Sequence, residues 1–141
     1  MSEQGAAPYG DPLTIPFWEA ARRHELLLQR CADCGGWQFY PRPFCLGCGS
    51  AAVGWARASG MGTVHSQTTV HLKVIAELDP PYVVALIRLD EGPLFTANVV
   101  GAPTAIGDRV TVAWRERGAL PPLPVFRRLD EAPGVGADGG A

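Results

Sequence analysis

Four cysteines in the first third of the chain constrain its fold more than any other feature. They form a C-x2-C-x10-C-x2-C pattern in which a glycine follows each pair, Gly35 and Gly49 respectively. A tight knuckle turns its backbone N–H groups toward the thiolates, and the turn needs a residue that tolerates positive φ. Two knuckles joined by a short hairpin bring four sulfurs within tetrahedral reach of one ion. The pattern predicts a zinc ribbon with the metal ligands Cys31, Cys34, Cys45 and Cys48.

Other interpretations of the cysteines fit less well. Two disulfides would require an oxidising compartment, but residues 1–11 lack the basic start and apolar run of an export signal, so we expect a cytoplasmic protein. A redox-active pair is expected beside a βαβ pattern, which the sequence lacks. Iron in a rubredoxin-like site stays open, although zinc is favoured for a closed four-thiolate site. Such a site has no position for water, so we predict that the Zn²⁺ is structural. It would take the place of a hydrophobic core, which a segment as short as the ribbon cannot form alone.

Composition limits the partners that we expect. The chain has 141 residues, of which 47% are hydrophobic and 18% are charged, and its net charge is -2. This is enough apolar material for one small folded module. A nucleic-acid-binding protein normally carries a basic excess, because phosphate neutralisation dominates such binding. The longest nearly uninterrupted apolar stretch, Tyr82 to Leu89, is too short to cross a bilayer. We therefore expect neither a nucleic-acid partner nor a membrane partner.

The pattern of the chain predicts a mainly β fold. Thr14 can cap a helix that runs to Glu25. Its buried stripe would consist of Phe17, Ala20, Ala21 and His24. We place Trp18 and Arg22 on its outer face, where they form a contact surface or Trp18 packs on the module that follows. The predicted organisation is a flexible leader at 1–13, the helix and a rubredoxin-like zinc ribbon at 14–52, a barrel at 53–129 and a flexible tail at 130–141.

From Gly60 onward the sequence is β in character. Five short strands are predicted, and a closed or nearly closed barrel of this size is commonly an OB-fold. Their positions are Gly62–Lys73, Tyr82–Leu89, Leu94–Val100, the alternating residues Val110 to Trp114, and Pro124–Leu129. Strict alternation would put the odd-numbered polar residues from Thr63 to Lys73 on one face. A solvated outer face explains them most simply, but His71 is the first candidate for a ligand contact, because a turn at Asp79 to Tyr82 could enclose it. The sequence contains no recognisable catalytic arrangement, so we predict no catalytic residues.

An ordered set of motifs resembles a known family. It spans residues 14 to 129 and combines the ribbon with the strands that follow. The motifs are Pro16-Phe17-Trp18, Leu28-Gln29-Arg30-Cys31, Tyr40-Pro41-Arg42-Pro43, Gly62-Thr63-Val64 and Ile106-Gly107-Asp108-Arg109-Val110. Together they closely resemble the zinc-ribbon OB-fold family once catalogued as "domain of unknown function thirty-five".

The resemblance implies an accessory, non-catalytic subunit in lipid or steroid metabolism. Members of that family bind thiolase-fold enzymes that act on acyl-CoA, such as acyltransferases and the aldolases that shorten steroid side chains. The barrel would help to form the acyl-CoA site, and the partner would supply the catalytic residues. Because CoA carries phosphates, we expect CoA or the partner to face Trp18, Arg22, Arg23, Arg30, Arg42 and His71. Two alternatives stay open: an OB-fold single-stranded nucleic-acid-binding protein and a stand-alone acyl-CoA-binding protein.

Overall fold

The computed structural model describes residues 11–76 and 78–130, and its contacts divide the chain into two compact units. The first unit comprises the chain as far as Ser59, together with Glu91–Pro93 and Glu116–Leu123. The second comprises Gly60–Asp90, Leu94–Arg115 and the chain from Pro124. Among the described residues, none of the helices has the length and apolarity that a bilayer crossing requires.

The first unit begins with a single turn of 3-10 helix, Pro12–Thr14, followed by helix α1, Ile15–Ala21. Asp11 caps the 3-10 turn, because its carboxylate accepts a hydrogen bond from the Leu13 amide at 3.1 Å. The predicted capping role of Thr14 is wrong, since its hydroxyl donates to the Asp11 carbonyl at 2.7 Å and accepts no hydrogen bond from an amide of the helix. The N-terminal helix itself is confirmed.

The end of α1 differs from the prediction. Phe17, Ala20 and Ala21 are buried as expected. The helix ends at Ala21, and His24 adopts a φ of 59°, in the left-handed region that terminates helices. The predicted extension to Glu25 is therefore wrong, and the exposed His24 is not part of the buried stripe.

Three short strands form the sheet of the first unit: β1 (Leu27–Cys31), β2 (Trp37–Gln38) and β3 (Val53–Arg57). Their order is β2-β1-β3, and both pairs are antiparallel. The sequence analysis placed β3 at the start of the barrel, whereas the structure pairs it with β1. In this register Gln29 lies opposite both Gln38 and Trp55.

The second unit contains most of a closed barrel formed by β4 (Met61–Val70), β5 (Tyr82–Leu89), β6 (Leu94–Val99), β7 (Arg109–Arg117) and β8 (Leu120–Arg128). The strand order around the barrel is β4-β5-β6-β8-β7, with β6 and β8 parallel. The barrel core is fully buried and largely aliphatic: Val64, Ile87, Leu89, Val110, Val125 and Phe126. The predicted five-stranded OB-fold barrel is confirmed.

Strand β4 breaks the alternation that the sequence suggested. Its register against β5 shifts between Val64 and Ser66, which inserts an extra residue, a β-bulge, at His65. Because side chains alternate with a period of two, this insertion exchanges the two faces beyond it. The strand also ends at Val70, so that His71 lies in the connection to β5. The prediction of one continuous polar face is therefore wrong.

Gly62 lies at a place where β5 leaves no room for a side chain on β4. A Cβ atom there would lie 2.6 Å from the Arg88 carbonyl oxygen and 2.7 Å from Cγ2 of Ile87. We expect Gly62→Ala to lower the free energy of unfolding by about 1–3 kcal/mol, because the backbone must shift to accept a methyl group. Thermal unfolding measures the effect. Gly54→Ala is the matched control, since a Cβ there meets nothing within 4 Å. Equal melting temperatures for the two variants would contradict the prediction.

Candidate metal centre

Each cysteine pair lies in a knuckle turn, and the two knuckles have the same hydrogen bonds. The Gly35 amide donates to the Cys31 carbonyl at 2.9 Å, and the Gly49 amide donates to the Cys45 carbonyl at 2.8 Å. The two glycines have φ values of 76° and 80°, which residues with side chains rarely adopt. The prediction that each knuckle needs its glycine is confirmed.

The four sulfur atoms lie at the spacing of a tetrahedral metal site. All of them are within 4.8 Å of one another, with Cys31 and Cys48 3.7 Å apart and Cys34 and Cys45 3.6 Å apart. Zinc–sulfur bonds of about 2.3 Å in tetrahedral geometry put sulfurs roughly 3.8 Å apart, whereas a disulfide needs about 2.05 Å. The four sulfurs therefore form a site for one zinc ion.

Backbone amides point at the sulfurs and favour their charged form. The Cys34 amide donates to Sγ of Cys31 at 3.5 Å, and the Gly47 amide donates to Sγ of Cys45 at 3.3 Å. The Cys34 amide contributes most to lowering the pKa of Cys31, to about 7. The amides of Cys48 and Gly47 likewise lower the pKa of Cys45. Two of the four ligands are thus stabilised as thiolates by the knuckle backbone.

The other two thiols are held in the protonated form by their neighbours. The Ser50 amide lowers the pKa of Cys48, but the adjacent sulfurs, Cys31 first, raise it to about 12. The Gly36 amide similarly lowers the pKa of Cys34, but the Cys45 and Cys31 thiols and burial together outweigh it, so that the net shift of the pKa is upward. Crowded thiolates repel one another, and a divalent cation at their centre offsets this repulsion. The donor set therefore fits zinc, and four protein ligands close the site to substrate.

Two buried glutamines hold the chain that leads to the second knuckle. Oε1 of Gln29 accepts hydrogen bonds from the Arg42 amide and from Nε2 of Gln38, both at 2.8 Å, and its Nε2 donates to the Arg42 carbonyl at 2.9 Å. Gln38 accepts from the Leu46 amide at 2.9 Å and donates to the Phe44 carbonyl at 3.1 Å. Four of these hydrogen bonds fix residues 42–46, the segment that contains Cys45, and the fifth joins the two glutamines to each other.

The sequence analysis missed these glutamines as determinants of the site. Gln29 appeared only inside a family motif, and nothing was inferred from Gln38. A signal was nevertheless present, because Gln29 shares its strand parity with Cys31 and must lie on the same face as that metal ligand.

Two family models match consecutive parts of the chain. The ChsH2 rubredoxin-like zinc ribbon domain matches residues 18–54, and the ChsH2 C-terminal OB-fold domain matches residues 55–115. The solved structure "Ltp2-ChsH2(DUF35) aldolase" superposes with a TM-score of 0.76 and 36% sequence identity, over 82% of this chain and 93% of that chain. The chain belongs to the ChsH2 family. Its resemblance to the zinc-ribbon OB-fold family is thereby confirmed.

Two curated relatives of this ChsH2-family chain are named as hydratase subunits. The "probable enoyl-CoA hydratase alpha subunit" of Thermomonospora curvata is 41% identical over 79% of this chain. The "3-oxo-4,17-pregnadiene-20-carboxyl-CoA hydratase alpha subunit" of Mycobacterium tuberculosis is 34% identical over 65% of this chain. The chain spans only 36% and 29% of the lengths of these two relatives.

Three of the predicted partner-facing arginines of this ChsH2-family chain have different surroundings. Arg30 donates through Nε to the Gly35 carbonyl at 3.2 Å, and its guanidinium carbon lies 5.0 Å from the centre of the Trp37 ring. Arg23 forms an exposed ion pair of 3.4 Å with Glu25. Arg42 is exposed, and its guanidinium forms no hydrogen bond or ion pair with residues 11–76 or 78–130.

The remaining predicted residues, Trp18, Arg22 and His71, belong to different units. Trp18 is half-buried, and the Arg117 guanidinium lies 5.5 Å from the centre of its ring. Arg22 donates to the Ala119 carbonyl at 3.3 Å. Both residues therefore contact the 116–123 segment of the first unit, whereas His71 is exposed in the second unit. A role for any of them toward CoA or a partner stays a prediction.

Proposed function

We propose that this chain is an accessory, non-catalytic subunit that binds a thiolase-fold enzyme and helps to form its acyl-CoA site. The reaction is of the steroid side-chain aldolase type, with an acyltransferase as the related possibility. The observation that carries the proposal is the 36% identity to a chain of the Ltp2-ChsH2 aldolase, of which this chain covers 93%. The names of both curated relatives contain a CoA thioester, which supports the same substrate class.

The closed zinc site supports an accessory role. All four tetrahedral positions belong to cysteine sulfur, so the metal can neither bind a carbonyl oxygen nor activate water. The zinc fixes the shape of the ribbon, and the partner enzyme supplies the residues that break or form the carbon–carbon bond.

Arg42 is the residue that we assign to CoA or to an acidic strip of the partner. Its backbone is fixed on both sides, because Gln29 binds both the amide and the carbonyl of this residue. Its guanidinium is exposed. A planar guanidinium on a rigid backbone suits bidentate binding of a phosphate or a carboxylate.

The proposal predicts a stable complex with measurable consequences. The chain should co-elute in size-exclusion chromatography with a thiolase-like enzyme encoded beside it. The enzyme should also cleave its steroid CoA thioester at least about 10-fold faster in the complex, because the acyl-CoA site is then complete. The measurement is turnover of the enzyme with and without the chain.

Arg42→Glu should weaken the complex or raise KM for the thioester, whereas Lys73→Glu, a charge reversal on the β4–β5 connection, should not. Absence of a complex, or equal turnover of the enzyme alone, would contradict the proposal. Oligonucleotide binding with a steep salt dependence would point to the nucleic-acid alternative instead.

A further inference from the structure

The four cysteines of the metal site differ in how far solvent reaches them. Cys31 and Cys45, the first cysteine of each knuckle, are buried. Cys34 and Cys48, the second cysteine of each knuckle, are exposed. Four sulfur ligands close the metal itself to solutes, but a thiolate at the surface stays a nucleophile. The two exposed cysteines are therefore the places where a small oxidant can reach the site.

Each exposed cysteine has its sulfur beside a buried sulfur of the other knuckle. Sγ of Cys48 is 3.7 Å from Sγ of Cys31. Sγ of Cys34 is 3.6 Å from Sγ of Cys45. Redox-sensitive cysteines combine an accessible thiolate with a second cysteine that resolves the oxidised form. Both halves of the site have this combination, and in both halves it crosses from one knuckle to the other.

The structure favours bonds between the knuckles over bonds within them. The spacing alone would favour a disulfide inside each C-x2-C pair, as in disulfide oxidoreductases. Among the described residues, however, the sulfur pairs in hydrogen-bond contact are the two that join different knuckles. Inside the first knuckle, the Cys34 amide donates to Sγ of Cys31 at 3.5 Å, so that the backbone of the second cysteine already contacts the sulfur of the first. We therefore expect oxidation to join the knuckles to each other.

We propose that the ribbon is a reversible redox site, which hydrogen peroxide converts into the disulfides Cys31–Cys48 and Cys34–Cys45 with release of the zinc ion. The inference concerns the ribbon alone and is independent of the proposed function. A disulfide offers no thiolate, so the first bond already removes two of the four metal ligands. Because both bonds join the knuckles, the four sulfurs stay close together, and a reductant can restore the site.

Each disulfide forms in two displacement steps. The thiolate of the exposed cysteine attacks one oxygen of the peroxide, so that a sulfur–oxygen bond forms, the oxygen–oxygen bond breaks and hydroxide leaves. The buried thiolate of the other knuckle then attacks the oxidised sulfur, so that the disulfide forms, the sulfur–oxygen bond breaks and a second hydroxide leaves. Two thiolates thus lose two electrons to one peroxide molecule. Complete oxidation of the site consumes two peroxide molecules.

Zinc release and disulfide mapping test the proposal on the zinc-loaded chain. After treatment with hydrogen peroxide, a chelating dye should detect the released zinc, and mass spectrometry of non-reduced peptides should show the two bonds that cross the knuckles. Dithiothreitol followed by zinc should restore the original zinc content, because disulfides are reducible. The proposal is wrong if zinc stays bound, if the bonds lie within the C-x2-C pairs or between chains, or if the cysteines become sulfinic acids that dithiothreitol does not reduce.

Gly36 offers a variant that shields one half of the site. A Cβ atom there would lie 3.3 Å from Sγ of Cys34, and its φ is not in the positive range that strains alanine. At equal zinc content, Gly36→Ala should slow the initial formation of the disulfide at Cys34 at least about 3-fold, because the methyl group hinders the peroxide, and should leave the disulfide at Cys48 unchanged. Gly54→Ala, whose Cβ meets nothing within 4 Å, should change neither rate. Equal effects of Gly36→Ala on both bonds, or none, would overturn the assignment, and the wild-type bond pattern decides if this variant loses its zinc.

Discussion

We expect Cys45→Ser to release the zinc ion and to unfold the ribbon. Cys45 is buried, and its backbone ties the second knuckle together. A serine hydroxyl does not ionise near neutral pH and cannot replace the thiolate. The ribbon consists of strands of five, two and five residues, which enclose little apolar surface. Zinc contributes about 10–16 kcal/mol to the folding of comparable peptides, as much as the entire stability of an ordinary domain.

Elemental analysis and amide exchange in residues 27–57 measure this loss. Ser50→Ala is the control, because Ser50 is two residues beyond Cys48 and the variant keeps the backbone amide that donates to the Cys48 sulfur. Zinc must also displace the proton of the Cys48 thiol when it binds, because the pKa of Cys48 is raised to about 12. Zinc affinity should therefore increase with pH through the neutral range. A Cys45→Ser protein with a full complement of zinc and an unchanged exchange pattern would contradict the structural role of the metal.

The features that the sequence predicted correctly are local ones. The knuckles depend on residues within five positions of one another, so that the cysteine spacing and the positive φ at Gly35 and Gly49 could be predicted together. The barrel strands were predicted because each carries its own apolar residues and is bounded by turn residues. Strand β5 is the clearest case, since both its ends, Tyr82 and Leu89, were placed correctly.

Two of the features that were wrong, the bulge in β4 and the place of β3, depend on contacts distant in sequence, whereas the third, the end of α1, depends on a local turn. The bulge at His65 is a shift in the register of β4 against β5. The sequence of β4 alone therefore does not reveal it. Strand β3 pairs with β1 across the whole ribbon, although its apolar alternation suits a barrel equally well. Helix α1 ends at Ala21 because the chain turns back, with the Glu25 amide donating to the Ala20 carbonyl at 3.0 Å.

Replacing Gln29 by leucine should destabilise the ribbon, although Gln29 has a relative exposure of only 3% and an apolar side chain would normally suit so buried a position. A leucine of similar size removes three hydrogen bonds at once, two of which satisfy the backbone of Arg42. The Arg42 amide and carbonyl, whose hydrogen bonds to Gln29 are partly buried, lose their partner, and a polar group buried without a partner costs about 1–3 kcal/mol. We expect a loss of about 2–5 kcal/mol and weaker zinc binding, because the released segment carries Cys45.

Chelator competition and thermal unfolding measure these two effects. Gln67→Leu is the matched control, since Gln67 also has two hydrogen bonds, to the carbonyl and hydroxyl of Thr104, but is only half-buried in the barrel. Water can replace those bonds, so the control should lose less than about 1 kcal/mol. A double variant with Gln38→Leu should lose less than the sum of the single losses, because the glutamines share one hydrogen bond. Strict additivity, or a Gln29→Leu protein as stable as the control, would show that the buried amides do not support the metal site.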